Sequence, residues 1–268
     1  MTTTDAALVT SADVSAYERD GAVCLRAVFD AGWVDRMQRA VDRIMREVSP
    51  YSRQRGDRDG RFHNDFFMWT RDPDFRAFAI DSPAADVART VMRARTVNLF
   101  FDHLLVKQPL ASEPTPWHHD LPYWPVAGDQ VCSVWVGLDP VTAATGAVEY
   151  VAGSHRWNRR FEPVTFIKDR PFERQGLEAI PDIEAHRHEY RILSWDLEPG
   201  DCLVHHALTV HGAPGNTSSE QRRRGVSLRF TGDDARYDPH PGTFRLLRDP
   251  GIDAGAPMDC ELFPRVRP

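Results

Sequence analysis

From Thr96 onward the chain breaks into short apolar or alternating runs, and this pattern limits the fold more than any other feature. VNLFFDHLLVK, VCSVWVGL, AVEYVAG, YRILSWD, DCLVHHALTVH and GVSLRFTG are all of strand length and are punctuated by Gly, Pro and Asp. Such spacing predicts an antiparallel sandwich or small barrel. The chain has 268 residues, 41% of them hydrophobic, with 20 prolines and 17 glycines. That is enough for one large core with many turns, so one domain over 1–268 is expected.

The N-terminal part reads differently. Ser11 can cap a short helix through Glu18, which Asp20-Gly21 ends before AVCLRAVF, a candidate first strand. Asp30 precedes a helical pattern in which Val34, Met37, Val41, Ile44, Met45 and Val48 recur at spacings of three and four, until Pro50. The polar stretch 49–61 reads as a mobile loop, and 82–94 as a second amphipathic helix. The expected layout is a helical part at about 11–94 and a β core at about 96–232, with one long interruption at 155–190. The first part of that interruption carries Arg156, Arg159, Arg160, Lys168, Arg170 and Arg174 against Glu162, Asp169 and Glu173, with Trp157, Phe161, Phe166 and Phe172 among them. Long insertions on a β scaffold are often lids. A solvated surface excursion fits the same composition.

Several function classes are disfavoured. No apolar run approaches the roughly 18 residues of a membrane span, and MTTTDAALVTSAD lacks a basic region followed by an apolar stretch. Cys24, Cys132, Cys202 and Cys260 are far apart in sequence, with no CxxC pair, which suggests neither a zinc knuckle nor a disulfide scaffold. A cytoplasmic location is expected. The formal net charge of −6 argues against a nucleic-acid partner.

The chemistry-bearing stretch is WHHDLPYW, residues 117–124. On an extended strand, residues two apart share a face, so His118 and Asp120 are expected to project together while His119 points away. A third ligand is sought in EPGDCLVHHALTVHGAPGN, where His211 ends a strand before a turn; His205 and His206 are alternatives in principle. Two histidines and one carboxylate on one side of a divalent metal leave three positions open, the arrangement that non-haem Fe(II) uses. Downstream, SEQRRRGVSLRFTG alternates so that Arg223, Gly225, Ser227 and Arg229 share one face and Arg224, Val226, Leu228 and Phe230 the other. The first face suits a ligand cavity, in which an arginine can grip a carboxylate with two parallel hydrogen bonds.

The motifs LLVKQP, WHHDLPYW, SVWVGLDPV, GAVEYVAGSH, PGD, HGAPGN and RRRGVSLRF occur in the order found in the phytanoyl-CoA dioxygenase family of iron- and 2-oxoglutarate-dependent oxygenases. The chain resembles that family from YERDGAVCLRAVF to RFTGDD. The resemblance implies a mainly β fold with flanking α-helices, a double-stranded β-helix of the jelly-roll, cupin-like kind. It also implies an iron site at His118, Asp120 and His211 and a 2-oxoglutarate site near the arginine strand. Trp135 matches a tryptophan that lines the family's co-substrate pocket, and His103 and Lys107 fall where family members contact co-substrate. Spacing from the distal histidine selects Arg222 as the co-substrate arginine, whereas alignment on GVSLRF selects Arg223, which is preferred because Gly225 and Ser227 share its face. Ala213 stands where relatives often have a hydroxyl, so one hydrogen bond to co-substrate is expected to be missing. His205 and His206 then read as sheet or core histidines, and His119 as a surface or supporting residue.

The implied activity uses Fe(II), 2-oxoglutarate and O2 to oxidise a C–H bond of a small molecule. Because Asp120 is present where related halogenases have a small residue, hydroxylation is favoured over halogenation. The substrate is expected to be a secondary metabolite or another anionic or amphipathic compound, handled by a monomer or homodimer. Acyl-CoA hydroxylation, a cupin-like metal hydrolase or isomerase, and a non-catalytic metal-binding sensor are the alternatives.

Overall fold

Thr10, one residue before the expected Ser11, starts the first helix: its hydroxyl accepts from Asp13 N–H while the Asp13 carboxylate accepts from Thr10 N–H, a reciprocal capping box. The computed structural model describes residues 8–47, 49–55, 61–164 and 177–268. Its elements in the N-terminal part are α1 (Ser11–Asp20), β1 (Ala22–Leu25), α2 (Ala31–Ile44), β2 (Arg53–Arg55), β3 (Phe62–Phe66), α3 (Pro73–Asp81) and α4 (Ala84–Met92). There follow β4 (Val97–Lys107), β5 (Thr115–His118), β6 (Val126–Ala127), β7 (Val131–Gly137), β8 (Glu149–Val151) and β9 (Ile192–Ser194). The chain closes with β10 (Cys202–His206), β11 (His211–Ala213), β12 (Arg223–Thr231), β13 (Arg236–Tyr237) and β14 (Arg265–Arg267).

The strands form a large antiparallel sheet in the order β1-β10-β7-β12-β4-β3-β2, with β14 added to β4, a smaller sheet β5-β11-β8-β9, and a two-stranded ribbon of β13 and β6. Period-two alternation gives the large sheet two different faces. Its outer face, with Leu104, Val106, Val134, Val136, Val204, Val226, Leu228 and Phe230, shares one core with Met37, Val41, Phe75, Phe78, Val87 and Val91 of the helices. Phe78 is fully buried against the Phe29 and Trp33 rings, so truncating it to Ala would cost about 3–5 kcal/mol. The inner face looks toward the small sheet. Trp135 and Leu203 meet Val148, Tyr150 and Leu197 there, while Phe101 joins Phe67, Trp124 and Phe263 in a separate aromatic cluster. Two facing antiparallel sheets with helices on one outer side make this the expected double-stranded β-helix.

Some expected boundaries move. α2 ends at Ile44, before Pro50, and Val48 lies outside the described residues. The stretch read as a loop contains β2, while 56–60 fall outside the described residues. The β core extends past 232, because β14 pairs with β4 and Phe263 is fully buried. Gly21 ends α1 at φ 79°, and a Cβ there would lie 2.4 Å from both His155 Nδ1 and Thr209 Oγ1, so the turn into β1 needs glycine. No helix among the described residues is long and apolar enough to cross a membrane.

Candidate metal and co-substrate site

The two sheets bring His118, Asp120 and His211 together from distant parts of the chain. His118 is the last residue of β5 and pairs directly with His211, the first residue of β11. Asp120 does not lie on that strand, which corrects the expectation that one strand carries both ligands. The chain leaves β5 after His118, and Asp120, at φ −75° and ψ −40°, opens a 3-10 turn over Leu121–Tyr123 that contains Pro122. Leu121 N–H donates to Ala207 C=O beyond β10, so this turn carries the carboxylate across to the large sheet. One ligand atom from each residue lies within 4.8 Å of the others, and all three residues are buried.

Hydrogen bonding fixes what each ring can do. His118 Nδ1 donates to Pro116 C=O at 2.8 Å and His211 Nδ1 to Thr209 C=O at 2.9 Å, so both Nε2 atoms carry the lone pair. Burial, reinforced by neighbouring imidazoles, pushes His118 down to about 3 and His211 to about 4, which keeps both neutral at physiological pH. For Asp120 burial opposes ionisation, but Arg229 and the His205 hydrogen bond outweigh it and hold the carboxyl well below the usual range. Asp120 Oδ1 lies 3.7 Å from His118 Nε2. Two neutral imidazoles and one ionised carboxylate, with no thiolate among them, suit a divalent iron ion.

The family model for phytanoyl-CoA dioxygenase matches residues 17–225. The chain belongs to the phytanoyl-CoA dioxygenase family. That family is one of iron- and 2-oxoglutarate-dependent oxygenases. A probable phytanoyl-CoA dioxygenase of Caenorhabditis elegans is 27% identical over 165 residues, which make up 59% of this chain and 51% of that protein; the chain thus spans about half that relative's length. The multifunctional dioxygenase prhA of Penicillium brasilianum is 24% identical over 226 residues, 80% of this chain and 69% of that protein. Among solved structures, the non-heme alpha ketoglutarate dependent epimerase SnoN from nogalamycin biosynthesis has a TM-score of 0.73 at 26% identity, covering 96% of this chain and 98% of its own. SnoN has also been solved in complex with Fe3+, alpha ketoglutarate and nogalamycin RO.

In this phytanoyl-CoA dioxygenase family member the inner face of β12 divides into two basic ends. At one end Arg223 is 2% exposed, donates to Gly146 C=O at 2.7 Å and lies 5.3 Å from the Trp135 ring centre. Lys107, its partner in the β12–β4 register, is also buried and donates to Pro214 C=O. Burial pulls Arg223 down to about 10, so it stays charged at neutral pH. Arg222 turns the other way: it pairs with Asp42 of α2 at 2.9 Å and is part-exposed. Of the two arginines named by spacing and by alignment, only Arg223 faces inward.

His103 lies at the other end. It stacks on Phe66 at 4.2 Å, and its Nδ1 is 3.2 Å from Arg229 Nη2, so it sits beside Arg229 rather than with Lys107. Alternation along β12 puts Arg229 on the inward face but assigns it no role, and the HGAPGN motif leaves His205 as a sheet or core histidine. The structure sets both against Asp120, at 4.0 Å and 3.4 Å from Oδ2. Alternation along β10 could have found His205, because Leu203 and His205 share one face while Cys202 and Val204 enter the helix-side core. His206 faces away and bonds Asp129 C=O at 2.8 Å. His119 is buried, and its Nε2 accepts from Phe161 N–H at 2.9 Å. Of the aromatic and basic residues noted in the insertion, Phe166, Lys168, Arg170, Phe172 and Arg174 lie outside the described residues, as do Asp169 and Glu173.

Proposed function

We propose that this protein is an iron- and 2-oxoglutarate-dependent dioxygenase that oxidises an unactivated C–H bond of a small molecule, with hydroxylation as the outcome. The observation that carries the reading is the convergence of His118, Asp120 and His211 beside a strand whose inward face ends in the buried Arg223. His118, Asp120 and His211 hold the iron. Arg223 takes the far carboxylate of 2-oxoglutarate, with Lys107 adding charge and Trp135 forming the wall between that end and Gly225. When bound, iron, 2-oxoglutarate and O2 supply the oxidant that removes hydrogen from the substrate, with succinate and carbon dioxide as co-products. The protein's share is geometry, charge and exclusion of water.

The residues 1–268 act as one catalytic domain, and the described parts of the insertion, 155–164 and 177–190, cover the site. Two contacts support a covering role: Phe161 N–H bonds His119, next to His118, and Tyr123 Oη donates to Val164 C=O at 2.9 Å. The substrate is a secondary metabolite or a comparable anionic or amphipathic compound. The full-length likeness to SnoN, an enzyme of nogalamycin biosynthesis, favours that class over acyl-CoA thioesters. It also raises a second outcome, inversion of a stereocentre, in which the same hydrogen removal is followed by hydrogen return to the opposite face, with the two electrons and two protons that balance the consumption of 2-oxoglutarate and O2 coming from an external reductant such as ascorbate. We place the enzyme in the cytoplasm as a monomer or homodimer without a membrane partner, and its negative net charge argues against a nucleic-acid partner.

The test is succinate release with Fe(II), 2-oxoglutarate, O2, ascorbate as reductant and a panel of polycyclic and glycosylated metabolites, with product masses read in parallel. Gain of one oxygen identifies hydroxylation, and an unchanged mass with altered stereochemistry identifies inversion. Absence of any metal-dependent 2-oxoglutarate turnover, even without substrate, would overturn the proposal.

A further inference from the structure

Three adjacent strands of the large sheet place one polar residue each at the same level. His205 of β10 pairs with Ser133 of β7, and Ser133 pairs with Arg229 of β12. The three side chains converge on one atom, Asp120 Oδ2: Ser133 Oγ lies at 3.3 Å, His205 Nε2 at 3.4 Å and Arg229 Nη2 at 4.0 Å. The other oxygen, Oδ1, is the one beside His118 Nε2 at 3.7 Å.

We propose that the His205–Ser133–Arg229 rung is a positioning device that keeps Asp120 a one-oxygen metal ligand, holding Oδ2 off the metal so that 2-oxoglutarate and O2 find their positions open. The inference rests on the iron reading above. A carboxylate can bind a divalent ion through one oxygen or both. With two histidines in place, a second Asp120 oxygen would take one of three remaining positions, and a chelating co-substrate plus O2 needs all three.

The hydrogen-bond order separates His205 from the two ligand histidines, although its ring centre is only 4.6 Å from that of His211. His118 and His211 give their Nδ1 protons to backbone carbonyls. His205 Nδ1 instead faces the Tyr150 hydroxyl at 3.2 Å. The ionised Asp120 Oδ2 can only accept, so the proton of the neutral ring is on Nε2 and points at Asp120, and Nδ1 is left to accept from the Tyr150 hydroxyl. A nitrogen that carries a proton is not a metal ligand. His205 is thus a donor to the carboxylate, held in that orientation by Tyr150. Arg229 completes the rung mainly by charge, since its guanidinium carbon lies 4.8 Å from the Phe101 ring centre and 5.4 Å from that of Trp124, and its Nε and Nη1 have no hydrogen-bond partner among the described residues.

The experiment uses the full chain as wild type, Ser133→Ala, His205→Leu, the double variant, and His205→Gln, which retains an N–H donor. Thermal unfolding first identifies the folded variants; Ser133→Ala removes one oxygen and is the safeguard if His205→Leu fails to fold. Two affinities are then measured without oxygen: Co(II) for the apo-protein, and 2-oxoglutarate for the Fe(II)-loaded protein by its visible charge-transfer band. The expected result is that the 2-oxoglutarate Kd rises by about 10–100-fold in the double variant and by a smaller factor in Ser133→Ala, while Co(II) affinity changes far less. His205→Gln should recover most of the loss. A folded, metal-loaded double variant with wild-type 2-oxoglutarate affinity and band would overturn the proposal. So would a collapse of Co(II) affinity in His205→Leu with no effect of Ser133→Ala, because His205 would then be a ligand. If wild type itself gives no metal-dependent 2-oxoglutarate band, the iron reading fails instead, and the rung loses its purpose with it.

Discussion

Gly225→Ala tests the architecture of the proposed 2-oxoglutarate end with one methyl group. A Cβ at Gly225 would lie 2.1 Å from Trp135 Cζ2, 2.5 Å from Cε2 and 2.9 Å from Nε1. Ordinary contact begins near 3.4 Å, so the indole or the strand must give by about 1.3 Å (3.4 − 2.1). Neither is free to move. Gly225 pairs with both Gly137 and Leu105 in the middle of the sheet, and Trp135 is 3% exposed within the inner cluster. Overpacking of this kind costs about 1–3 kcal/mol. In a chain of this size that lowers Tm by roughly 2–4 °C for each kcal/mol. The Arg223 guanidinium carbon lies 5.3 Å from the indole centre, so a shift of the ring also disturbs the proposed carboxylate anchor. Thermal unfolding and anaerobic 2-oxoglutarate titration of the Fe(II) protein check both effects. The variant should melt several degrees lower and bind 2-oxoglutarate at least several-fold more weakly. Unchanged Tm together with unchanged affinity would refute the close packing of Trp135 on β12 and its part in the co-substrate end.

Asp120→Ala should lose Fe(II)-dependent 2-oxoglutarate turnover to background, read as succinate release. Arg223→Lys, which gives up the two-pronged grip, should weaken 2-oxoglutarate by about tenfold or more, whereas Arg222→Ala, at a part-exposed pair with Asp42, should change stability by less than about 1 kcal/mol and leave 2-oxoglutarate affinity alone. Burial raises the Asp102 carboxyl to about 7, against a Trp69 N–H that lowers it. Because the folded value exceeds the unfolded one near 3.9, the fold retains a proton that the unfolded chain loses, so this group's contribution falls as pH rises from about 4 to about 7 and is level above. Asp102→Asn should remove that slope, worth at most about 4 kcal/mol, in urea titrations across the range. Tyr123→Phe, which deletes the bond to Val164 C=O, should speed tryptic cleavage within 155–190 while costing only about 1 kcal/mol of global stability.

How much of this was legible in the sequence depended on period. The alternation of β12 was readable outright, because nine residues are long enough to show both faces: Arg223, Gly225, Ser227 and Arg229 inward, Arg224, Val226, Leu228 and Phe230 outward. The α2 stripe was equally clear. α3 went unread although Asp72 caps it and Pro73 begins it, because nine residues carry only a weak apolar stripe. Strand β14 and the buried Phe263 follow a turn-rich stretch whose burial comes from tertiary contact with β4 and leaves no periodic mark. In the site, residue types located His118, Asp120 and His211, but the assumption of one strand through Asp120 overlooked Pro122, which favours the turn that redirects the carboxylate. His205 was missed because identification rested on the HGAPGN motif and not on the face it shares with Leu203.

The two faces of β12 answer to different masters. Outward, Arg224 is clasped by Asp139 through its side chain and its backbone N–H and reaches Gln38 C=O and Asp42 of α2, so the helix layer holds the strand in register from behind. A change on the inward side therefore acts through its own packing, as at Gly225, and not through slippage of the strand, and the turn ahead of the strand can gain or lose a residue while the register survives. A lineage built on this frame can remodel the turn before the strand while the inward letters that grip co-substrate and steady the carboxylate keep their places.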